Sequence, residues 1–253
     1  MSPDDRAAPA MNEALFRIAD RILAAAGDRG LPVRVLGGVA VAMRCPTAAI
    51  PPLARRYEDL DLITTNKRAY DVGELLGELG FAPEERFNRL HGRSRMLFES
   101  ADGHLDVLVD RLVMCHVLEL EDRIEANERT LPGADLLLSK LQIVQLNDKD
   151  VRDIVAILAD LALTEDESGI HAGYVAKLVG ADWGWWRTST QTLETVAERL
   201  PSLGLPAESH QRVVGRINEL RALAAGCRKS MRWRARARVG ERVPWYNDPE
   251  EVA

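Results

Sequence analysis

A change of hydrophobic rhythm near residue 131 constrains this chain more than any other feature. Beyond Leu131-Pro-Gly133 every apolar pattern recurs at i, i+3 and i+4, over 134–147, 149–162, 171–180, 186–200 and 208–227, with breaks at Pro201 and Pro206. Before it, helical spacing alternates with short period-2 runs. Leu15, Ile18, Ala19, Ile22 and Leu23 mark a helix over 11–28, 33–36 reads as a buried strand ending in Gly37-Gly38, and 39–44 turns helical again. A proline-rich loop fills 45–52, and strand 59–63 follows. Helix 67–80 comes next, then strands 93–99 and 105–109 joined by the tight turn Ala101-Asp-Gly-His104. The order αβ(α)βαββ followed by helices alone predicts an α+β fold. A small mixed sheet with helices on one face occupies 1–132, and an all-helical half occupies 133–253.

No apolar stretch approaches the roughly 18 residues that a membrane span needs, and the first residues are acidic where a signal peptide is basic. A cytoplasmic protein without membrane contact is expected. Cys45, Cys115 and Cys227 lie far apart with no CxxC spacing and read as small thiols rather than zinc ligands or a disulfide framework. His91, His104, His116, His171 and His210 lack HxxxH or HExxH spacing, so histidine ligation of a metal is not expected.

The net charge of −6 hides an asymmetry. Residues 228–242 carry seven basic groups and one acidic, net +6, which leaves −12 on the rest. Within that strip Arg232, Trp233, Arg234, Arg236 and Arg238 alternate cation and apolar residue. The pattern fits RNA binding, with cations on phosphates and an indole on a base, and it fits a disordered charged extension equally well. Asp182-Trp-Gly-Trp-Trp186 holds three of the five tryptophans, as helix core or as a platform for an acceptor.

The chemistry concentrates on the strand at 59–63. Asp59 and Asp61 are i and i+2, so both carboxylates leave one face of the strand, where like charges repel unless a cation lies between them. Mg²⁺ favours one or two carboxylates plus phosphate oxygens, and Asp106 at the head of a later strand can supply a third. A solvated Asp-x-Asp facing water is the simpler alternative. Earlier in the chain, Gly37-Gly38 sits between a strand and a helix, where missing side chains let backbone N–H groups approach phosphate.

Taken in order, Leu36-Gly-Gly-Val-Ala40, Asp59-Leu-Asp61 and Leu105-Asp106-Val107 resemble the DNA polymerase beta-like nucleotidyltransferase superfamily. Ala134-Asp-Leu-Leu-Leu-Ser-Lys140 and Asp148-Lys-Asp-Val-Arg-Asp-Ile154 look like the later motifs of its AbiEii-type group, which includes the MenT-like toxins. The resemblance spans 33–160 and implies an enzyme that binds ATP or another NTP with Mg²⁺, two ions in number. It implies Gly37 and Gly38 at the phosphates, Asp59 and Asp61 as metal ligands, and Asp106 as a third ligand or base. Lys140 is then a triphosphate contact, with Asp150 or Asp153 completing the site. Where the family carries a small hydroxyl residue two positions before the first aspartate, this chain has Tyr57. Arg55 or Arg56 can meet phosphate there, Arg56 being the one assigned, and Arg95 with Arg93 is a further nucleotide contact.

These expectations converge on nucleoside monophosphate transfer from an NTP to an acceptor hydroxyl, with pyrophosphate released. The acceptor preferred is the end of tRNA or another RNA, in a toxin-like role with a possible cognate antitoxin. A small molecule such as an aminoglycoside, or a protein hydroxyl, is the alternative acceptor. A non-catalytic RNA- or partner-binding protein on the same fold is the reading from another class.

Overall fold

Strict alternation forces a strand to send successive side chains to opposite faces of its sheet, and this chain uses that to separate core from chemistry. In the computed structural model, which describes residues 3–101 and 103–248, five strands form one sheet. They are β1 (Arg34–Leu36), β2 (Asp59–Thr64), β3 (Ala82–Pro83), β4 (Arg95–Ser100) and β5 (Gly103–Val109), in the order β1-β2-β5-β4-β3. β2 and β5 run parallel and the other pairs antiparallel.

One face of this sheet is apolar: Leu60 and Leu62 on β2, Met96 and Phe98 on β4, and Leu105, Val107 and Val109 on β5 are all buried. Helices α1 (Pro3–Asp28) and α3 (Ala69–Glu78) supply the buried partners Ile18, Ala19, Ile22, Val72, Leu75 and Leu76. A side chain added at Gly73 of α3 would stand 3.8 Å from Phe98, which places that helix directly on the strand residues. At about 1.5–3 kcal/mol for each large apolar side chain taken from water, this face is the main source of the sheet's stability. The opposite face carries Asp59, Asp61, Arg95, His104 and Asp106, exposed or half-buried.

By its internal contacts the chain divides into two units. The first comprises Met1–Arg44, Arg55–Leu112 and Glu119–Leu131 and contains the sheet; the second comprises Cys45–Ala54, Val113–Leu118 and Pro132–Ala253. In the first, α2 (Gly37–Arg44) starts directly where β1 stops, and a short α4 (Glu85–His91) precedes β4. The second is built from α5 (Gly133–Leu141), α6 (Asp148–Asp160), α7 (Ala172–Ala181), α8 (Trp183–Arg199), α9 (Ala207–Gly226) and α10 (Met231–Val239). Its core is a layer of Leu136, Leu137, Ile154, Val155, Leu158, Val196 and Ile217.

Three helices of the second unit open on side-chain caps. Asn147 accepts from the Asp150 N–H at 2.9 Å, Asp182 from Gly184 and Trp185 at 2.7 and 3.1 Å, and Ser230 from Trp233 at 3.0 Å. Each such cap is worth about 1 kcal/mol. The expected helix over 134–147 is shorter: α5 ends at Leu141 with Gln142 as its C-cap, and Asn147, extended at φ −91° and ψ 177°, already caps α6. The Cys45–Ala54 loop is tied to α6 by the Thr47 N–H, which donates to Asp160 at 2.8 Å, and by the Arg152 guanidinium on the Ala54 carbonyl at 3.4 Å.

Several elements depart from the sequence reading. The half expected to be all helical also holds a two-stranded parallel sheet of Leu163–Thr164 and Ile170–His171, and short strands stand at Arg111–Val113 and Val117–Glu119. α4 and β3 occupy a stretch without regular spacing, and α4 buries none of its residues. The basic strip, open between RNA-binding segment and disorder, contains helix α10 at Met231–Val239. Part of the Ala101–His104 turn, Asp102, lies outside the described residues, as do the first two residues, which were read as part of an acidic start, and residues 249–253. Among the described residues no helix is long and apolar enough to cross a membrane.

Candidate active site

The acidic face is set by register. Asp61 on β2 stands opposite Asp106 on β5 and opposite Leu36 on β1, while Asp59 stands opposite His104. Asp59, at the head of its strand, is exposed; Asp61 and Asp106 are half-buried. The spacing therefore does what the sequence predicts and brings three carboxylates to one side of two adjacent strands.

The glycine pair explains how Asp61 is seated. Gly37 has φ +67°, a left-handed conformation that disfavours any side chain, and a Cβ built there would collide with the Asp61 Oδ2. The absent side chain thus lets a carboxylate lie against the backbone at the start of α2. A Cβ on Gly38 would collide with the Arg55 guanidinium, whose Cζ stands 4.2 Å above the Tyr57 ring. Of the two arginines before the acidic strand it is thus Arg55 that lies over the glycines, whereas Arg56, the one assigned from sequence, is exposed. Asn12 on α1 fixes this segment: its amide donates to the Arg55 carbonyl at 2.8 Å and accepts from the Tyr57 N–H at 3.0 Å. Nothing in the sequence marks Asn12 as anything but a polar helix residue. Tyr57, in place of the family's small hydroxyl residue, is buried with its ring 6.4 Å from that of Phe16, so it packs the core.

Asp106 has a partner of its own. The Arg95 Nε donates to its two oxygens at 2.8 and 3.0 Å, and Nη2 donates to Oδ2 at 2.6 Å. The hydrogen bond to Asp106 raises the Arg95 pKa above its ordinary value; burial opposes this, and the charges of Asp106 and Asp61 add to it. Arg95, read as a nucleotide contact, stands in this structure as the bidentate counter-ion of the third carboxylate. Arg93 precedes β4 and is exposed, so the two arginines do not share a strand.

Among the described residues no three His, Cys, Asp or Glu side chains group closely enough to hold a metal ion. Of the three carboxylates on this face, Asp106 has both oxygens engaged by Arg95. Two carboxylates on one strand face fit Mg²⁺, which accepts one or two carboxylates and fills its other positions with water and phosphate oxygens. Asp59 and Asp61 on one strand face, the second against a glycine that admits no side chain, meet that requirement.

Lys140, Asp150 and Asp153 form a separate group inside the second unit. The Lys140 Nζ lies 3.0 Å from Asp150 Oδ1 and 2.9 Å from Asp153 Oδ2, and the three side chains are 13%, 9% and 2% exposed. Burial alone would favour the neutral amine, but the two carboxylates outweigh it and raise the Lys140 pKa above its usual 10.5. The reading that sent Lys140 to a triphosphate, with Asp150 or Asp153 completing a site, meets a lysine already neutralised by both aspartates on the facing helix.

The basic strip is also rearranged. Residues two apart on a helix fall on opposed sides, so Arg232 and Arg236 share one face of α10 while Arg234 and Arg238 share another. Arg232, Arg234 and Arg238 are exposed, whereas the Arg236 guanidinium donates to the Val243 and Pro244 carbonyls at 2.6 and 3.3 Å. Trp233 is half-buried, edge-on to Trp186 at 5.3 Å with the Lys229 ammonium 5.1 Å from its ring. Cys45 and Cys115 are buried thiols and Cys227 is half-buried.

No known protein family matches this sequence, and no curated protein matches it. Among solved structures the chain is similar to the antibiotic-resistance factor ANT(2'')-Ia in solution, at 14% identity and TM-score 0.36, over 93% of this chain and 97% of that one. It is also similar to ANT(2'')-Ia crystallised in complex with adenylyl-2''-tobramycin, at 18% identity and TM-score 0.35, over 88% and 98%.

Proposed function

We propose that the first unit is a Mg²⁺-dependent nucleotidyltransferase. The observation that carries this reading is the seating of Asp61 against Gly37, with Asp59 beside it on the same strand face and an arginine over Gly38. A bound divalent ion supplies charge neutralisation on the triphosphate and polarises the α-phosphorus. The chain's own residues do the rest. Asp59 and Asp61 hold the ion, and the Arg55 guanidinium and the backbone at Gly37-Gly38 meet phosphate oxygens. The acceptor oxygen bonds to the α-phosphorus, the bond from that phosphorus to the α,β-bridging oxygen breaks, and pyrophosphate leaves.

Arg95 and Asp106 serve the proton. A guanidinium fork fits phosphate as well as carboxylate, so Arg95 can exchange Asp106 for a phosphate of the incoming nucleotide. Asp106 is then left to take the proton of the acceptor hydroxyl.

RNA, tRNA in particular, is the preferred acceptor, supported by the exposed arginines of α10. A small cationic hydroxyl acceptor such as an aminoglycoside is the second reading, favoured by the −12 charge outside 228–242. Incubation with Mg²⁺, bulk tRNA and each α-phosphate-labelled NTP tests the first directly. Label on tRNA that vanishes in Asp59→Ala/Asp61→Ala supports it. Label found only on an added aminoglycoside moves the acceptor to the second reading, and no transfer to either overturns both.

A further inference from the structure

The tryptophan-rich motif at 182–186, left open by the sequence, opens α8, and its residues 182–185 line a cleft of about 920 Å³ within the second unit. The remaining walls come from residues 115–117, from α10 and from residues 244–247. The chain fastens this cleft at several points. Gly184 lacks the side chain that would meet the Trp245 carbonyl oxygen at 2.7 Å. The Trp245 indole N–H donates to Thr188 at 3.1 Å, the Asn247 N–H donates to the Cys115 carbonyl at 2.9 Å, and Arg236 ties down the Val243 and Pro244 carbonyls.

Its chemistry is aromatic and cationic. Trp245 and Tyr246 are half-exposed and meet edge to face at 5.3 Å, above a floor that includes the buried Trp183 and Trp185. Arg232 stands exposed on the α10 wall. The carboxylate in the lining is that of Asp182, already engaged as the cap of α8. His116 is held neutral by burial, its pKa lowered to about 4, and its Nε2 is 2.8 Å from the Thr188 hydroxyl. Such a lining, whose one named carboxylate is engaged as a helix cap, offers rings and a cation to a flat anionic ligand. At this size it lies in the range of sites that enclose small molecules, about 300–1,000 Å³. The arginines outside it, Arg228, Arg234, Arg238 and Arg242, are exposed as well, and their charge suits further phosphates of a chain.

We propose that this cleft binds single-stranded RNA, taking an unpaired base against Trp245 and Tyr246 with its phosphate on Arg232. The proposal deepens the acceptor side of the transferase reading and stands without it, because strand binding needs neither NTP nor Mg²⁺.

The test is fluorescence anisotropy of a labelled RNA strand of about ten nucleotides with the full chain at low salt. The strand is expected to bind, and to bind at least about tenfold tighter than the duplex of the same sequence or the free mononucleotide. Arg232→Glu and Tyr246→Ala are each expected to weaken binding about tenfold, with melting and circular dichroism unchanged for the exposed Arg232 position. Asp59→Ala/Asp61→Ala should leave it unchanged, which separates failure here from failure of the transferase reading. No binding overturns the proposal, as does binding unaffected by both cleft variants but lost in Arg234→Glu/Arg238→Glu. Equal affinity for mononucleotide and strand would make this a free-nucleotide site, and equal affinity for duplex would make it mere charge attraction; either result also overturns it.

Discussion

Arg95 grips Asp106 with three hydrogen bonds of 2.6 to 3.0 Å, although the two residues sit diagonally, not directly opposite, on β4 and β5. That grip gives the third carboxylate of the acidic face a cationic partner. In the proposed reaction the same guanidinium exchanges this carboxylate for a phosphate.

Arg95→Met is therefore expected to act in two ways. Stability should fall by about 1 kcal/mol in urea unfolding, the modest cost of a partly exposed ion pair. Transfer activity should fall more than that change accounts for, and Arg95→Lys should restore stability better than activity because an ammonium cannot form the fork. Equal rescue of both would reduce Arg95 to a structural role.

Gly37→Ala places a methyl group where the Asp61 carboxylate lies, at a backbone φ of +67°. The expected cost is about 1–3 kcal/mol of stability, with loss of Mg²⁺-NTP binding measured by calorimetry. Gly80→Ala is the control, because its φ is +90° but nothing stands near its Cβ. It should lose stability and keep the binding.

The ion group in the second unit predicts an alkaline limit. Because the folded-state pKa of Lys140 lies above 10.5, its contribution is complete below pH 10.5 and is lost as pH rises from there through the folded value. Lys140→Ala, which leaves two nearly buried carboxylates without their cation, should cost about 3 kcal/mol at neutral pH. If Lys140→Ala melts like the native chain, the lysine is not held by its aspartates.

His116 sets the acid side. Its folded-state pKa is lowered to about 4 from 6.5, so the stability it contributes is full above pH 6.5 and drains away as pH falls towards 4. The slope from this residue is at most about 1.4 kcal/mol per pH unit in that window. His116→Gln should flatten the pH dependence of the melting temperature between those limits.

Much of the sheet was legible because alternation is a strong signal. The runs at β2 and β5 name their own faces, so Asp59, Asp61 and Asp106 could be placed together from sequence. Arg95 could have been matched to Asp106 from the turn as well. Counting back from Ser100 opposite Gly103 puts Leu97 opposite Asp106 and Arg95 one diagonal away. Three features left no such trace. Helix α4 buries none of its residues, so it has no apolar rhythm. The Lys140 triad depends on the packing of α5 against α6, and a lysine carries no mark of its partners. In the basic strip, alternating arginines left an RNA-binding segment and a disordered extension equally open, while the Ser230 cap and helical spacing divide its arginines between two faces.

The central claim is that Asp59 and Asp61 hold the divalent ion through which the first unit binds an NTP. Calorimetric titration of each NTP with and without Mg²⁺, on the native chain and on Asp59→Asn/Asp61→Asn, tests it most directly. Mg²⁺-dependent binding of at least one NTP is expected, and it disappears in the double variant while its fold is retained. NTP binding that persists undiminished in that variant, or no Mg²⁺-dependent binding of any NTP, would contradict it.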